Sequence, residues 1–274
     1  MTSQAAAELG CETGGQEPLG IARGADGVLH LTLASPPANA LSEAMIAGLH
    51  RGLDEAAGDE AVRVVVIGAE GRIFSGGHDL KQMTARRADP DGGRAYFADI
   101  FARCSAMMQA VVALPKPVVA EVGGLATAAG CQLVASCDIV VASSAARFGV
   151  NGVDLGLFCS TPMVALSRAA QAKPALEMLM TGEMIGAERA REIGLVNRVV
   201  PAEELRAETD RLAVRLLDKP PAVLALGKKA FYEQARMGLA DAYRHTSEVI
   251  ACNMLMDEAE EGIAAFLEKR KPRW

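Results

Sequence analysis

Short β-branched runs alternate with stretches of helical spacing along most of the chain. "GVLHLTLAS" (Gly27–Ser35) reads as a strand that ends at Pro36-Pro37. Ser42 is placed to cap a helix whose buried face carries Met45, Leu49 and Leu53. "VRVVVIGAE" (Val62–Glu70) opens with a nearly continuous apolar run, the pattern of a strand buried on both faces. A Gly-rich "FSGGHDL" follows, then a long helix with Tyr96, Ile100, Cys104, Met107 or Met108, and Val111 on one side. "KPVVAEV" (Lys116–Val122) and "CDIVVAS" (Cys137–Ser143) are two more buried strands, flanking a small-residue segment that reads as a tight loop opening a helix. Strands alternating with helices predict an α/β fold of right-handed βα units on a mainly parallel sheet. From about Pro201 the strands stop. Leu205, Leu212 and Leu216, then Ala222–Ala235, then Thr246–Lys269 predict consecutive helices, an appendage packed on the core or used for assembly.

The 274 residues are half hydrophobic and include 27 glycines, enough for a large core with close backbone contacts. They divide into a disordered N-terminal tail (1–20), a core (21–200) and a C-terminal helical region (201–274). A formal charge of −6 argues against a general nucleic-acid binder. The cysteines (Cys11, Cys104, Cys131, Cys137, Cys159, Cys252) form no C-x-x-C pair and have no histidine at metal-ligand spacing, so they read as reduced thiols and no metal is expected. The first twenty residues lack a basic segment and an apolar core and carry Glu8, Glu12 and Glu17, against both a secretory signal and an Arg-rich transit peptide. No apolar run is long enough to span a bilayer. These features predict a cytoplasmic protein without a membrane partner.

Two Gly-rich elements each follow a strand: "FSGGHDLKQM" (Phe74–Met83) and "GGLATAAGCQL" (Gly123–Leu133). Small residues there leave backbone N–H groups unobstructed. If the loops converge, two N–H groups can hold one oxygen and stabilise negative charge developing on it. Alone, either loop is better explained by a tight turn and a close helix–strand contact. The chain has no G-x-x-x-x-G-K-[ST], G-x-G-x-x-G, G-x-S-x-G or H-E-x-x-H.

"FSGGHDLKQM", "KPVVAEVGGLATAAGCQLVASCDIVVASSAARFGVNGVDLGL", "ALEMLMTGEMIGAERAREIGLVNRVVP" and "EGIAAFLEKRKP" resemble, in that order, the enoyl-CoA hydratase/isomerase (crotonase) superfamily from about residue 22 onward. The resemblance implies a spiral of ββα units and a C-terminal helical region that builds trimers or paired trimers. It implies an acyl-CoA thioester ligand, with coenzyme A arriving as part of the substrate and no permanently bound cofactor. Carried over by position, the oxyanion-hole donors are the N–H groups of His78 and Ala129. Gly76, Gly77, Lys81, Phe266 and Lys269 fall at the coenzyme A pocket, the last two often supplied by a neighbouring subunit. Helix packing for Phe266 and a solvated surface for Lys81 and Lys269 are the alternatives.

The departures are specific. The resemblance implies two catalytic glutamates, and this chain has Gln132 at the first position and Gly152 at the second. Glutamine orients water but takes no proton. Nearby stand Asp154, an acid/base candidate or a structural aspartate; Ser160, favoured as a helix cap; and Cys159, favoured as a core thiol. "GLATAAGCQLVASCDI" and "GLFCSTP" resemble family paralogues lacking both glutamates. The expected function is acyl-CoA binding with enolate stabilisation and weak or altered hydratase activity. A different acyl-CoA reaction (decarboxylation, thioester hydrolysis or isomerisation) and a non-enzymatic binding or assembly role are the alternatives.

Overall fold

A computed structural model describes residues 17–24 and 26–274. The chain runs through β1 (Leu19–Arg23), β2 (Val28–Leu33), α1 (Glu43–Gly58), β3 (Val64–Ala69), β4 (Ile73–Ser75), α2 (Leu80–Ala85) and α3 (Arg94–Ala113). It continues through β5 (Val118–Val122), β6 (Leu125–Thr127), α4 (Ala129–Ser136), β7 (Ile139–Ser143), β8 (Arg147–Gly149) and a 3-10 turn (Asn151–Leu155). Then come α5 (Ser160–Ala169), α6 (Ala172–Thr181), β9 (Ile185–Gly186), α7 (Ala187–Glu192) and β10 (Arg198–Val200). The last helices are α8 (Leu205–Leu217), α9 (Pro221–Gln234), α10 (Leu239–Met254) and α11 (Asp257–Leu267).

Two sheets are built alternately. The larger has the order β1-β2-β3-β5-β7-β10, the smaller β4-β6-β8-β9. Pairing is parallel except for β1 with β2 and β8 with β9. Thus β3–β4, β5–β6 and β7–β8 each lay one strand in each sheet before a helix or 3-10 turn begins, which is the ββα spiral. Alternate residues of β3 enter different cores, Val65 and Ile67 the main one and Val64 and Val66 the second, so its β-branched run is buried on both faces. Ser42 caps α1, its hydroxyl accepting from the Met45 N–H at 3.2 Å, and Met45, Leu49 and Leu53 enter the main core as the spacing predicts.

Asn39, buried before α1, was not evident in the sequence. Its Oδ1 accepts from the Ser35 N–H at 2.8 Å, and its Nδ2 donates to the Glu70 and Ile73 carbonyls at 2.8 and 2.7 Å. This fully satisfied side chain fixes the 35–41 loop against the β3–β4 connection.

Several boundaries differ from the sequence expectation. Residues 1–16 of the expected tail lie outside the described residues, but Leu19 and Gly20 already belong to β1 and pair with Leu33 and Thr32. The final helical stretch is two helices: α10 starts at Leu239, not Thr246, and a break at Leu255–Met256 precedes α11. Nor does residue 201 divide core from appendage. Leu205, Leu212 and Ala213 of α8 close a second core against Val28, Val64, Val66, Val119 and Val141. Arg63 donates to the Leu217 and Lys219 carbonyls at 3.1 and 2.8 Å, holding the α8 end.

α9 is pinned by a buried cluster. Lys228 Nζ donates to Asp138 Oδ2 at 2.7 Å and to the Val111 and Lys116 carbonyls, both at 3.0 Å. Tyr232 donates to Asp138 Oδ1 at 2.9 Å. No described helix is long and apolar enough to cross a membrane.

Candidate active site

β4, β6 and β8 are adjacent parallel strands, and each ends in one of the segments singled out from the sequence. β4 leads into Gly76-Gly77-His78, β6 into Ala128-Ala129, and β8 into Val150-Asn151-Gly152. The carboxyl ends of neighbouring parallel strands are where α/β proteins place ligands.

The glycines let the first two loops touch. Gly77 has φ 87°, and a Cβ on it would lie 2.9 Å from the Ala128 Cβ and 3.2 Å from the Ala129 nitrogen. A Cβ on Gly130 would fall 2.3 Å from the Ser75 carbonyl oxygen. The 76–78 turn is held from behind: the Gly76 N–H donates to the Ala38 carbonyl and the Leu41 N–H to the Gly77 carbonyl, both at 2.8 Å. Asp79 then caps α2, accepting from the Lys81 and Gln82 N–H groups at 2.9 and 3.1 Å. These bonds use the groups around His78 and leave its own N–H without a partner among the described residues. Ala129 is the first residue of α4, where an N–H has no intrahelical acceptor, and its N–H is likewise unpaired among them. Two free donors therefore lie on loops in van der Waals contact.

One turn into α4, Gln132 is 4% exposed, and its Oε1 has no hydrogen-bond partner among the described residues. A buried carbonyl oxygen without a donor costs stability that a bound water or ligand recovers. Gly152 is enclosed by its own loop: a Cβ there would meet the Leu157 carbonyl oxygen at 2.8 Å and Cys159 Sγ at 2.9 Å. The space a side chain would need is occupied by backbone.

A family model described as Enoyl-CoA hydratase/isomerase matches residues 23–274. The chain belongs to the enoyl-CoA hydratase/isomerase family. Enoyl-CoA hydratase domain-containing protein 3, mitochondrial, of Xenopus laevis is 48% identical over 258 residues, covering 94% of this chain and 86% of the relative. A crystal structure of an enoyl-CoA hydratase from Mycobacterium smegmatis superposes with a TM-score of 0.90 at 49% identity, covering 94% of this chain and 99% of that one. The crystal structure of the human domain-containing protein 3 gives 0.88 at 46% identity, covering 94% and 100%. The Xenopus relative and its mouse and human counterparts are named as mitochondrial, which overturns the cytoplasmic expectation drawn from the first twenty residues.

Asp154, the acid/base candidate, is exposed in the 3-10 turn after β8. Its carboxylate oxygens would sit 3.0 and 3.1 Å from a Cβ on Gly182, at the end of α6. Ser160 is not the cap of α5. It is the first helical residue, Cys159 precedes it, and its hydroxyl donates to the Phe158 carbonyl at 3.3 Å. Burial raises the Cys159 thiol and pushes Cys131 up to about 12, as inert thiols require. The His78 ring packs edge-on against Phe101, with centroids 5.2 Å apart, and both its nitrogens are buried without a partner among the described residues. Burial lowers the imidazole below its ordinary value, the Leu41 backbone opposing only in part. Lys81 is exposed in the first turn of α2. Phe266 is 82% exposed on α11, with Lys269 just beyond the helix end.

The sequence reading missed Thr127, Ala128 and Asn151. Thr127 Oγ1 donates to Asn151 Oδ1 at 2.6 Å, joining the second segment to the third. The available signal was a threonine inside an otherwise apolar small-residue run. Ala128, with φ 50° and ψ −121°, gave no signal at all.

Proposed function

We propose that this chain binds an acyl-CoA thioester with its carbonyl oxygen between the His78 and Ala129 N–H groups and stabilises the enolate formed when a Cα proton leaves. The observation that carries this is the contact between the two loops with both donors free. Each such donor is worth about 10²–10³ in rate where charge develops. Gln132 supplies a buried acceptor for a hydrogen of water, so it holds the water that takes up the Cα proton and returns one of its own to the enolate, and is not itself the base. In this reading Lys81, exposed in the first turn of α2, and the Gly76–Gly77 turn contact the coenzyme A part of the ligand. Exposure of Phe266, and of Leu239, Tyr243, Ile250 and Leu255 on and just after α10, supports a homotrimer or dimer of trimers in which Phe266 and Lys269 reach a neighbour's ligand.

Standard hydration is not part of this function. A missing general acid–base group lowers a rate by about 10²–10⁴. The test is incubation with butyryl-CoA in deuterium oxide and, separately, with crotonyl-CoA. Deuterium enters the Cα position faster than in buffer, while hydration of crotonyl-CoA stays far below that of a relative carrying both glutamates. Hydration at that relative's rate defeats the acid–base claim; failure of either thioester to bind defeats the hole itself.

A further inference from the structure

Ala128 occupies a backbone region that L-residues avoid, with φ 50° and ψ −121°, directly before the Ala129 donor. Such a conformation persists only where the surroundings over-determine it. Here the surroundings are identifiable. The Ala128 N–H donates to the Gly149 carbonyl at 3.0 Å, and its own carbonyl accepts from the Gln132 N–H at 3.0 Å. Thr127 lies opposite Gly149 in the β6–β8 ladder. Among the described residues, the side-chain bond across this junction is Thr127 Oγ1 to Asn151 Oδ1, at 2.6 Å.

We propose that Thr127 and Asn151 form a latch that holds Ala128 in this conformation and so aims the Ala129 N–H into the site. Both are positioning residues and act only through the backbone between them. The geometry favours this over simple space filling. The bond joins β6 to the segment leaving β8, so it fixes the end of one loop to the start of the next. Ala128 is also the residue whose methyl group meets Gly77, so a change in its φ shifts the spacing between both donor loops. Its consequence for ligands rests on the two-amide hole proposed above.

The test uses the full chain with alanine labelled by ¹³C and ¹⁵N. In the wild type, Ala128 shows the coupling and Cα and Cβ shifts of a positive φ. T127V and N151A lose that signature, while T127S and N151D, which keep a hydroxyl donor and an oxygen acceptor, retain it. If T127V does not fold, N151A carries the same comparison. Isotope-edited infrared spectra of bound [1-¹³C]butyryl-CoA form the second arm. The carbonyl band moves to lower frequency on binding to the wild type, and most of that shift is lost in T127V with coenzyme A affinity unchanged. A positive-φ signature surviving in both T127V and N151A overturns the latch. A lost signature with the carbonyl shift intact overturns its role in aiming Ala129. An unshifted carbonyl in the wild type, with the Ala128 signature responding as described, refutes the hole and leaves the latch standing.

Discussion

Gly152 marks the difference between a lost side chain and a rebuilt loop. Because the Leu157 carbonyl lies 2.8 Å from where its Cβ would be, a glutamate there must displace backbone. Gly152→Glu is therefore expected to lower stability by about 1–3 kcal/mol. The double variant Gln132→Glu, Gly152→Glu gains no hydration of crotonyl-CoA; denaturant unfolding and a hydration assay check both halves. Gln132 behaves oppositely. Its Oε1 is unpaired among the described residues, so Gln132→Met is expected to raise the unfolding free energy by about 1 kcal/mol while slowing Cα proton exchange, a trade of stability against function. The small residues and the glutamine were legible because each is a letter in the chain. The filled space at Gly152 and the φ of Ala128 were not, since both are made by backbone atoms that every residue carries.

At the scale of elements, β3, β5 and β7 were readable as buried strands because each opens on three or more consecutive apolar residues, mostly valine and isoleucine. β4, β6 and β8 have three residues each, too short to show a period, yet they carry the site. The sequence therefore showed which loops matter but not that they share one sheet edge. The segment after α11 was likewise silent. Arg270 donates to both Glu261 oxygens at 2.6 and 2.9 Å, the Arg273 N–H reaches Glu261 at 2.7 Å, and Trp274 Nε1 reaches the Asp218 carbonyl at 2.9 Å. The Arg270 guanidinium, with the Arg273 N–H, holds Glu261 down at about 2 from an ordinary 4.5. A carboxyl depressed in the folded state contributes stability that is complete above its unfolded value and is lost as pH falls through the folded one. Trp274 is the only tryptophan, so its fluorescence reports this strap alone. Its emission should hold steady down to about pH 4.5 and shift to the red between there and about pH 2. In Glu261→Gln the red-shifted emission is already present at neutral pH; an unchanged spectrum in that variant rules the strap out.

Across the whole molecule, long-range polar contacts fix the C-terminal helices to the spiral. Lys228 and Asp138 are 90 residues apart and only 10% and 15% exposed at their side chains. Burial raises the Asp138 carboxyl while Lys228 opposes the shift, so removing the ammonium leaves a buried carboxyl that keeps the Tyr232 hydroxyl and the Val118 N–H but has lost its counter-charge. Lys228→Met is expected to cost about 3–5 kcal/mol, and Asp138→Asn added to it recovers part of the loss. No local pattern in "LGKKAFYEQ" distinguishes this buried lysine from its exposed neighbour Lys229. The apolar residues left open around α10 and α11 are expected to bury themselves between copies, giving a native mass of three or six times the 28.7 kDa chain in sedimentation equilibrium.

In the proposed site two backbone amides polarise a thioester carbonyl without the help of a catalytic carboxylate pair. The most direct test is the infrared band of a ¹³C-labelled thioester carbonyl, bound to the wild-type protein and free in water. The predicted result is a clear shift to lower frequency on binding. A bound carbonyl absorbing at its free frequency would show that the two amides do not polarise it.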